Sequence, residues 1–350
     1  MPVNEAKLNE FLGIAVGDIG AAISSALVYI GDRLGLYKAL AAESLTAAEL
    51  ATRTGTAERY VREWLANQAA GGYVIYDAST GRFSLTAEQA FCLADESSPA
   101  FLPGAFQIIQ ALHRVTPRVM ERFRTGAGID WGEQDPLLFE GTERFFRPNY
   151  AGNLVSAWIP ALDGVEEKLQ RGGKVADVGC GLGASTIFMA KAYPKSTFVG
   201  YDYHQPSIEM ARQRAGDAGV AGRVSFEVAK ATDYPGQDYD FVAHFDCIHD
   251  LADPEGAARH VRETLKDDGA WMLVEPYAGD KLEDNLNPVG RVFYGASTLV
   301  CVPCSLAGDG PALGAQAGES RLRAIATSGG FTRFRRATQT PFNLVLEARP

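Results

Sequence analysis

The longest apolar stretch of this chain lies near its start, from Phe11 to Ile30. Apolar residues recur there at helical spacing, which predicts a helix over 20–40 with a break near Gly35. Asp18, glycines and two serines interrupt the stretch, and no basic cluster precedes it. A membrane span and a signal peptide are therefore poor interpretations. We expect a helix that is buried against a partner subunit.

Helical and strand periods then alternate over residues 45–85. Thr46, with Glu49 three positions later, predicts a capped short helix. Apolar spacing predicts a second helix over 57–70, and two short strands are expected around a turn at 79–81. Two helices followed by a β-hairpin are typical of a winged helix-turn-helix domain.

The middle of the chain, 98–165, is rich in aromatic residues and prolines. We predict that the prolines divide it into short helices. His113 and the aromatic Tyr150 are candidates for contact with a substrate. For His113, a structural or surface role is the stronger interpretation.

A buried strand, a glycine-rich turn and a helix follow from residue 174. This arrangement places backbone N–H groups at a helix N-terminus, where a negatively charged group of a ligand docks. The next predicted strand ends in Asp202, which is placed to accept hydrogen bonds from a ribose diol. The pattern predicts a nucleoside-containing cofactor held by the turn residues Asp177, Gly179, Cys180, Gly181 and Gly183.

Two cofactor classes fit this glycine spacing. The dinucleotide fingerprint fits if Ala184 is its last small residue, so a nicotinamide cofactor stays open. Asp177 favours S-adenosylmethionine, because a carboxylate would repel a pyrophosphate but could hold a methionine amino group. A predicted antiparallel hairpin at 331–348 also favours it. Asp-x-Gly-x-Gly-x-Gly followed by an acidic strand end resembles the signature of class I methyltransferases, and residues 172–350 resemble that family throughout.

Together with the winged helix, nearly the whole chain resembles the small-molecule O-methyltransferases of plants and bacteria. The resemblance implies an α/β fold with a Rossmann-like, seven-stranded methyltransferase sheet behind a mostly helical winged-helix domain. It implies a dimerisation domain over 1–97, a helical linker and substrate cap over 98–165, and an S-adenosylmethionine-binding domain over 166–350.

The resemblance also assigns the cofactor site. Asp177 and the glycine loop would hold the methionyl part, and Asp202, with Tyr203 beside it, the ribose. In the family an acidic residue after the third strand contacts adenine, but here Lys230 and Ala231 stand in that loop. A lysine cannot accept from the adenine amino group, so backbone groups or the nearby Asp233 would substitute.

A histidine follows the fourth predicted strand, whose end, Phe245 and Asp246, would lie beside the methyl donor. In the resembling enzymes the matching histidine is the general base, which makes His249 the candidate here. An imidazole suits this task at neutral pH, and Asp250 or Glu275 could orient it. The alternative is that His249 only lines the pocket. Further candidates for the substrate pocket are Asn287 and Tyr294.

Composition and charge limit the classes of partner and function that are possible. A net charge of −10 argues against a nucleic acid or an anionic membrane as partner. Between Leu45 and Cys92, four basic residues accompany five acidic ones, whereas a DNA reader carries a basic stripe. We expect a small-molecule methyl acceptor, aromatic or apolar, and a homodimer formed by the N-terminal domain. The alternatives are a winged-helix transcriptional regulator and a catalytically inactive sensor of the cofactor or a metabolite.

The five cysteines indicate reduced thiols, and we expect a cytoplasmic protein. Cys301 and Cys304 have the spacing of a redox or zinc pair, but no second pair with zinc spacing accompanies them. Ordinary packing is the favoured interpretation, and the sequence predicts no metal.

Overall fold

The structure, a computed structural model, describes residues 2–350 and divides the chain into two compact units. The first unit runs to Gln110 and includes Glu140–Pro148. The second unit comprises Ala111–Phe139 and Asn149–Pro350. The predicted cap, 98–165, thus contributes segments to both units, and the three predicted domain ranges stay predictions.

The first helix, α1 (Glu5–Arg33), begins well before the predicted start at residue 20 and ends just before Gly35, whose φ is +70°. Its last turns pack inside the unit, because Gly31 lets the helix approach Trp64 closely. A Cβ at Gly31 would lie 2.4 Å from Trp64 Cζ2. Much of the remaining α1 surface is apolar and exposed, so the predicted burial holds within this chain only near the C-terminal end of the helix.

The winged helix-turn-helix is present as predicted. Thr46 and Glu49 form the capping box, with Thr46 N donating to Glu49 Oε2 at 2.8 Å. Leu50 and Leu65 are fully buried in the core of this unit. Its elements after α1 are α2 (Leu36–Ala42), α3 (Ala47–Thr54), α4 (Glu58–Ala70), β1 (Ile75–Asp77), β2 (Arg82–Ser84) and α5 (Ala87–Leu93).

The prediction that prolines divide the middle of the chain into short helices is wrong. Helix α6 (Pro103–Thr125) has 23 residues with Pro117 inside, and α7 (Pro136–Asn153) has 18 with Pro148 inside. An interior proline costs about 3 kcal/mol, but each helix also buries an apolar face that offsets this cost. Pro103 and Pro136 stand at helix starts, where an N–H is not needed. A π-helical turn, Leu154–Trp158, follows α7.

The second unit is built on a seven-stranded mixed sheet, which confirms the predicted fold class. The strand order is β5-β4-β3-β6-β7-β9-β8, and β9 runs antiparallel to both of its neighbours. The predicted closing hairpin is therefore present. The strands are β3 (Lys174–Val178), β4 (Thr197–Asp202), β5 (Val224–Val228), β6 (Tyr239–Phe245), β7 (Leu265–Pro276), β8 (Arg333–Gln339) and β9 (Asn343–Arg349).

Helices cover the sheet, and the side chains of β6 and β9 are buried almost throughout, as expected for strands that are covered on both faces. Residues 308–317 form a loop that is held in place by hydrogen bonds: Gly314 N donates to the carbonyl of His249 at 3.3 Å. The helices are α8 (Val165–Arg171), α9 (Ala184–Ala192), α10 (Gln205–Asp217), α11 (Pro254–Thr264), α12 (Pro288–Ala296), α13 (Val302–Ala307) and α14 (Gly318–Ser328).

Within residues 2–350, two helical stretches are long and apolar enough to cross a membrane by length and composition alone. They are α1 and Pro288–Ala307, with 11% and 39% of their most apolar windows buried in the protein. Length and composition do not distinguish a helix that spans a membrane from a helix that packs against protein.

Candidate active site

The carboxyl ends of four parallel strands bring the predicted site residues to one edge of the sheet. Asp177 lies near the end of β3, Asp202 ends β4, Asp246 follows β6 and Glu275 lies near the end of β7. Because β9 is antiparallel, its first residue, Asn343, reaches the same edge beside Pro276. Ligands of doubly wound sheets bind at this edge.

The turn between β3 and α9 requires glycine for two reasons. Gly179, Gly181 and Gly183 have φ values of +75°, +51° and +83°, a region that other residues rarely adopt. Space is also limiting, since a Cβ at Gly179 would lie 2.8 Å from Cys247 Sγ. At Gly183 it would lie 2.7 Å from Phe226 Cζ, whereas no atom lies within 4 Å at Gly181. The turn can therefore approach a ligand with bare backbone.

Asp177 is fully buried beneath this turn. Its Oδ2 accepts hydrogen bonds from the hydroxyls of Ser185 and Thr186, both at 2.6 Å. Its Oδ1 is buried and finds no partner among residues 2–350. Burial raises the pKa of Asp177 to about 6, against the opposing effect of the two hydroxyls. An unused acceptor on a buried carboxylate is suited to a cationic donor such as an amino group.

Asp202 connects the end of β4 to the glycine turn. Its Oδ2 accepts from Gly181 N and its Oδ1 from His204 N, both at 2.9 Å. Each carboxylate oxygen keeps a second lone pair, which a ribose hydroxyl could use. Of the other two predicted cofactor contacts near this turn, Cys180 is buried and Tyr203 is 42% exposed.

The loop after β5 offers few side chains for recognition of a base. Lys230 is exposed and Ala231 is half-buried. Lys230 N donates to Asp233 Oδ1 at 3.2 Å, so the Asp233 carboxylate closes the loop on itself. The predicted substitution for the family's acidic residue stays a prediction.

A histidine and two carboxylates form the centre of the candidate site. His249 is buried on a short 3₁₀ turn, Ile248–Asp250, after β6. Its Nδ1 lies 2.5 Å from Glu275 Oε2, and Glu275 Oε1 accepts from Ile248 N at 2.8 Å. Asp250 Oδ1 lies 2.9 Å from His249 Nε2, but the two atoms are not aligned as a hydrogen bond. Glu275 therefore orients the ring, and Nε2 faces the Asp250 carboxylate.

The two carboxylates govern the charge of His249. Burial alone would lower the pKa of the imidazole. Asp250 and Glu275 outweigh burial and raise the pKa of His249 well above its usual range. An imidazole in this setting is a strong base, and it retains its proton at a pH where a free imidazole has lost it.

Asp246 has partners that the sequence did not reveal. Its Oδ2 accepts from the Tyr150 hydroxyl at 2.9 Å and its Oδ1 from Asn343 Nδ2 at 3.0 Å. The Tyr150 ring also packs on Phe245, with ring centroids 5.2 Å apart. Asn343 Oδ1 in turn accepts from Asn149 Nδ2 at 2.7 Å. An asparagine at the start of a strand that continues with three apolar residues was the one available signal.

The other three predicted substrate residues lie on or at the start of helices α6 and α12. His113 is exposed on α6 and Tyr294 is half-buried on α12. Asn287 is exposed and caps α12, with its Oδ1 accepting from Gly290 N at 2.9 Å and its Nδ2 donating to the Asp284 carbonyl at 3.1 Å. Substrate contact by these residues stays a prediction.

Known families match both parts of the chain. Residues 169–313 match the family model described as "Methyltransferase domain". Residues 169–313 are a methyltransferase domain. Residues 21–95 match the model described as "Rv2258c-like winged HTH domain". The methyltransferase domain contains the glycine turn, Asp202 and the His249–Glu275 pair.

Similar proteins support the same assignment. The 27-O-demethylrifamycin SV methyltransferase of Amycolatopsis mediterranei is 31% identical over 177 residues, which is 49% of this chain and 59% of that protein. The segments matched in the curated relatives span 5% to 59% of the length of those proteins.

Two solved structures share the fold over almost their whole length. The mitomycin 7-O-methyltransferase MmcR has a TM-score of 0.74 at 19% identity, with 99% of this chain and 100% of that chain covered. Human N-acetylserotonin methyltransferase has a TM-score of 0.72 at 15% identity, with 100% and 99% covered. At such identities the likeness shows the fold, and it confirms the predicted methyltransferase sheet and the winged-helix domain that precedes it in the chain.

Proposed function

We propose that this chain is an S-adenosylmethionine-dependent methyltransferase that methylates a hydroxyl of a small aromatic or apolar molecule, with His249 as general base. One observation carries the proposal: His249 Nδ1 lies 2.5 Å from Glu275 Oε2, on the same sheet edge as the glycine turn. The names of the relatives also support O-methylation, since the mitomycin enzyme is called a 7-O-methyltransferase.

The residues of the glycine turn fit the cofactor. The unpartnered Oδ1 of Asp177 would accept from the methionyl amino group, and the Asp202 carboxylate would accept from the ribose hydroxyls. The structure of human N-acetylserotonin methyltransferase is a complex with this cofactor. When bound, S-adenosylmethionine supplies a methyl group on a positively charged sulfur.

The chain's own contribution is proton removal and orientation. The acceptor hydroxyl would lie against His249 Nε2, which takes its proton and makes the oxygen nucleophilic. Glu275 holds the opposite ring nitrogen, so it fixes the ring plane and stabilises the imidazolium that results. Tyr150 and Phe245, which pack on each other at the same sheet edge, would supply an aromatic surface for the acceptor. Because the pKa of His249 is raised, transfer should increase with pH through and above neutrality.

A homodimer in the cytoplasm, without a nucleic-acid or membrane partner, is part of the proposal. The exposed apolar surface of α1 supports dimerisation through the first unit. The arginines of α4 are paired with glutamates on the same helix, Arg59 with Glu63 at 2.6 Å and Arg62 with Glu58. Paired arginines do not offer the basic stripe that DNA requires, so this observation does not favour the regulator alternative.

The test combines cofactor binding with methyl transfer. We expect micromolar binding of S-adenosylhomocysteine to the wild type by calorimetry, and loss of binding in Asp202→Ala. In His249→Asn, whose amide still donates toward Glu275, binding should stay within about 3-fold while transfer to a phenolic acceptor falls by about 10² to 10⁴-fold. His260→Gln is the control, because His260 lies on α11, where its Nε2 donates to the Tyr234 carbonyl at 2.8 Å, and this variant should transfer normally.

The outcomes separate the alternatives. Preferential binding of a nicotinamide nucleotide would contradict the cofactor assignment. Normal S-adenosylhomocysteine binding without transfer to any of a broad set of acceptors would favour an inactive sensor. Full transfer in His249→Asn would leave the methyltransferase assignment in place but remove the general base.

A further inference from the structure

Three side chains with different donor atoms meet next to the proposed base. His249, Asp250 and Cys301 each place one donor atom so that all three lie within 4.8 Å of one another. Cys301 ends the π-helical turn Ser297–Cys301, far along the chain from the other two. In sequence Cys301 is paired with Cys304, but the fold pairs it with an imidazole and a carboxylate.

The second ring nitrogen of His249 is already oriented as metal sites require. Histidines that bind a metal usually donate their other N–H to a carboxylate, which fixes the tautomer and the ring plane. Glu275, which is 1% exposed, does this for Nδ1, so Nε2 points toward Asp250 and Cys301. Asp250 Oδ1 is buried and lies 2.9 Å from His249 Nε2, so a carboxylate oxygen and a ring nitrogen already converge at this point.

The backbone around the three donors is held in place by neighbouring elements. Ser305 Oγ, on α13, donates to the Leu251 carbonyl at 2.8 Å. Gly314 N donates to the His249 carbonyl at 3.3 Å. The donors are therefore fixed by the fold before any ion arrives.

Negative charge exceeds positive charge at this point. The carboxyl groups of Asp250 and Glu275 both face the single imidazole of His249, at 2.9 Å and 2.5 Å. A divalent cation would offset this excess. An imidazole, a thiolate and one carboxylate suit zinc, whereas magnesium and calcium prefer oxygen ligands alone.

We propose that His249 Nε2, Asp250 and Cys301 form a three-ligand zinc site with an open fourth position, and that zinc bound there inhibits methyl transfer. Binding releases the thiol proton of Cys301 and any proton on Nε2, and it involves no oxidation or reduction. Zinc on Nε2 occupies the lone pair that would accept the proton of the methyl acceptor. The inhibitory half of this proposal rests on the proposed function, but the metal site does not.

Cobalt(II) is a suitable probe, because a thiolate ligand gives it an intense near-ultraviolet charge-transfer band. We expect this band when the chelator-treated, full-length protein is titrated with Co²⁺, and its loss on addition of Zn²⁺. Cys301→Ala should abolish the band, and the matched control Cys304→Ala, three residues further along, should retain it. Glu275→Gln should keep the band but weaken Co²⁺ binding by about 10 to 100-fold.

A wild type without the band, or a band that persists in Cys301→Ala, would overturn the site. Loss of the band in both cysteine variants, with their far-ultraviolet circular dichroism unchanged, would also overturn this ligand set.

The inhibitory role is tested on the same proteins. For each variant, methyl transfer is measured with and without enough Zn²⁺ to fill the site, and the ratio of the two rates is compared. With zinc, the methyl-transfer rate of the wild type should fall at least about 10-fold, and that of Cys304→Ala should fall as much. The rate of Cys301→Ala should fall less than about 2-fold. An equal loss of rate in the wild type and both variants, or activation by zinc, would overturn the inhibitory role. Binding of S-adenosylhomocysteine is measured in parallel, so failure of the proposed function is distinguishable from failure of the metal site.

Discussion

At the scale of single residues, Asp246 is the most unusual acid of the candidate site. It has a positive φ of 51°, and both of its carboxylate oxygens accept hydrogen bonds, from Tyr150 and from Asn343. Burial, with a further contribution from the negative charge of Glu275, nevertheless raises the pKa of Asp246 to about 8. The sequence indicates that Asp246 lies beside the methyl donor, but it does not indicate this state of protonation.

The protonated Asp246 makes stability depend on pH in a particular direction. The folded state holds this proton up to about pH 8, whereas the unfolded chain loses it near pH 4. The contribution of this proton to the free energy of unfolding is therefore complete below about pH 4. It is lost as the pH rises toward 8, at up to about 1.4 kcal/mol per pH unit. Asp246→Asn removes this dependence. We expect the melting temperature of the variant, relative to wild type, to increase steadily from pH 5 to pH 8.

Asp238→Asn is the matched control. Asp238 also has a positive φ, 58°, and is exposed, so Asp238→Asn controls for the loss of an aspartate from a left-handed backbone position. A difference between Asp246→Asn and wild type that does not change with pH would show that Asp246 is ionised in the folded protein.

At the scale of elements, the glycine turn between β3 and α9 allows the cost of a left-handed backbone to be compared with the cost of steric crowding. Gly181 and Gly183 both have positive φ, but only Gly183 is crowded, by Phe226 and Ala211. Alanine at Gly181 should cost about 1–2 kcal/mol of unfolding free energy for the left-handed backbone alone. At Gly183 the same backbone cost is joined by about 1–3 kcal/mol of overpacking. Urea unfolding of both variants measures the difference, and equal instability of Gly181→Ala and Gly183→Ala would show that crowding by Phe226 adds no cost.

Elements specified by local patterns could be predicted from the sequence. The strand, glycine turn and helix around Asp177, the capping box at Thr46 and the closing hairpin all depend on residues close together in the chain. The lengths of α6 and α7 could not be predicted, because Pro117 and Pro148 are tolerated only when a buried apolar face offsets the lost hydrogen bonds.

Contacts between distant segments were the other part that the sequence did not predict. Asn343 meets Asp246 from 97 residues further along the chain, and Cys301 reaches His249 only through the turn that precedes α13. The spacing of residues in a motif predicts a site only when its residues lie on one element or on two consecutive elements. These donors come from elements that are far apart in the chain. The pair of His249 and Glu275 was foreseen because both residues stand at the carboxyl ends of predicted parallel strands.

At the scale of the whole molecule, the surface of α1 is the feature that one chain leaves unexplained. A stripe of apolar side chains follows one face at spacings of three and four residues, and each member is largely exposed: Leu12 48%, Val16 66%, Ile19 60% and Ile23 62%. An apolar surface of this kind marks an interaction site. We propose a second copy of this chain as the partner.

The prediction is a dimer that depends on this stripe. Replacing Val16 and Ile19 together by glutamate, which is compatible with a helix, should leave the fold intact and weaken dimerisation by at least about 100-fold. Burial of one aliphatic side chain is worth about 1.5–3 kcal/mol, and each 1.4 kcal/mol is a factor of ten in the dissociation constant.

The control replaces Leu282 and Leu286, which are 62% and 71% exposed in the second unit, by glutamate. Sedimentation of all three proteins over a range of concentrations should give a dimer for the wild type and the control, and a monomer for the α1 variant. A wild type that is monomeric throughout would contradict the dimer. Because α1 is also long and apolar enough for a membrane, flotation with lipid vesicles that is lost in the α1 variant would instead assign the surface to lipid.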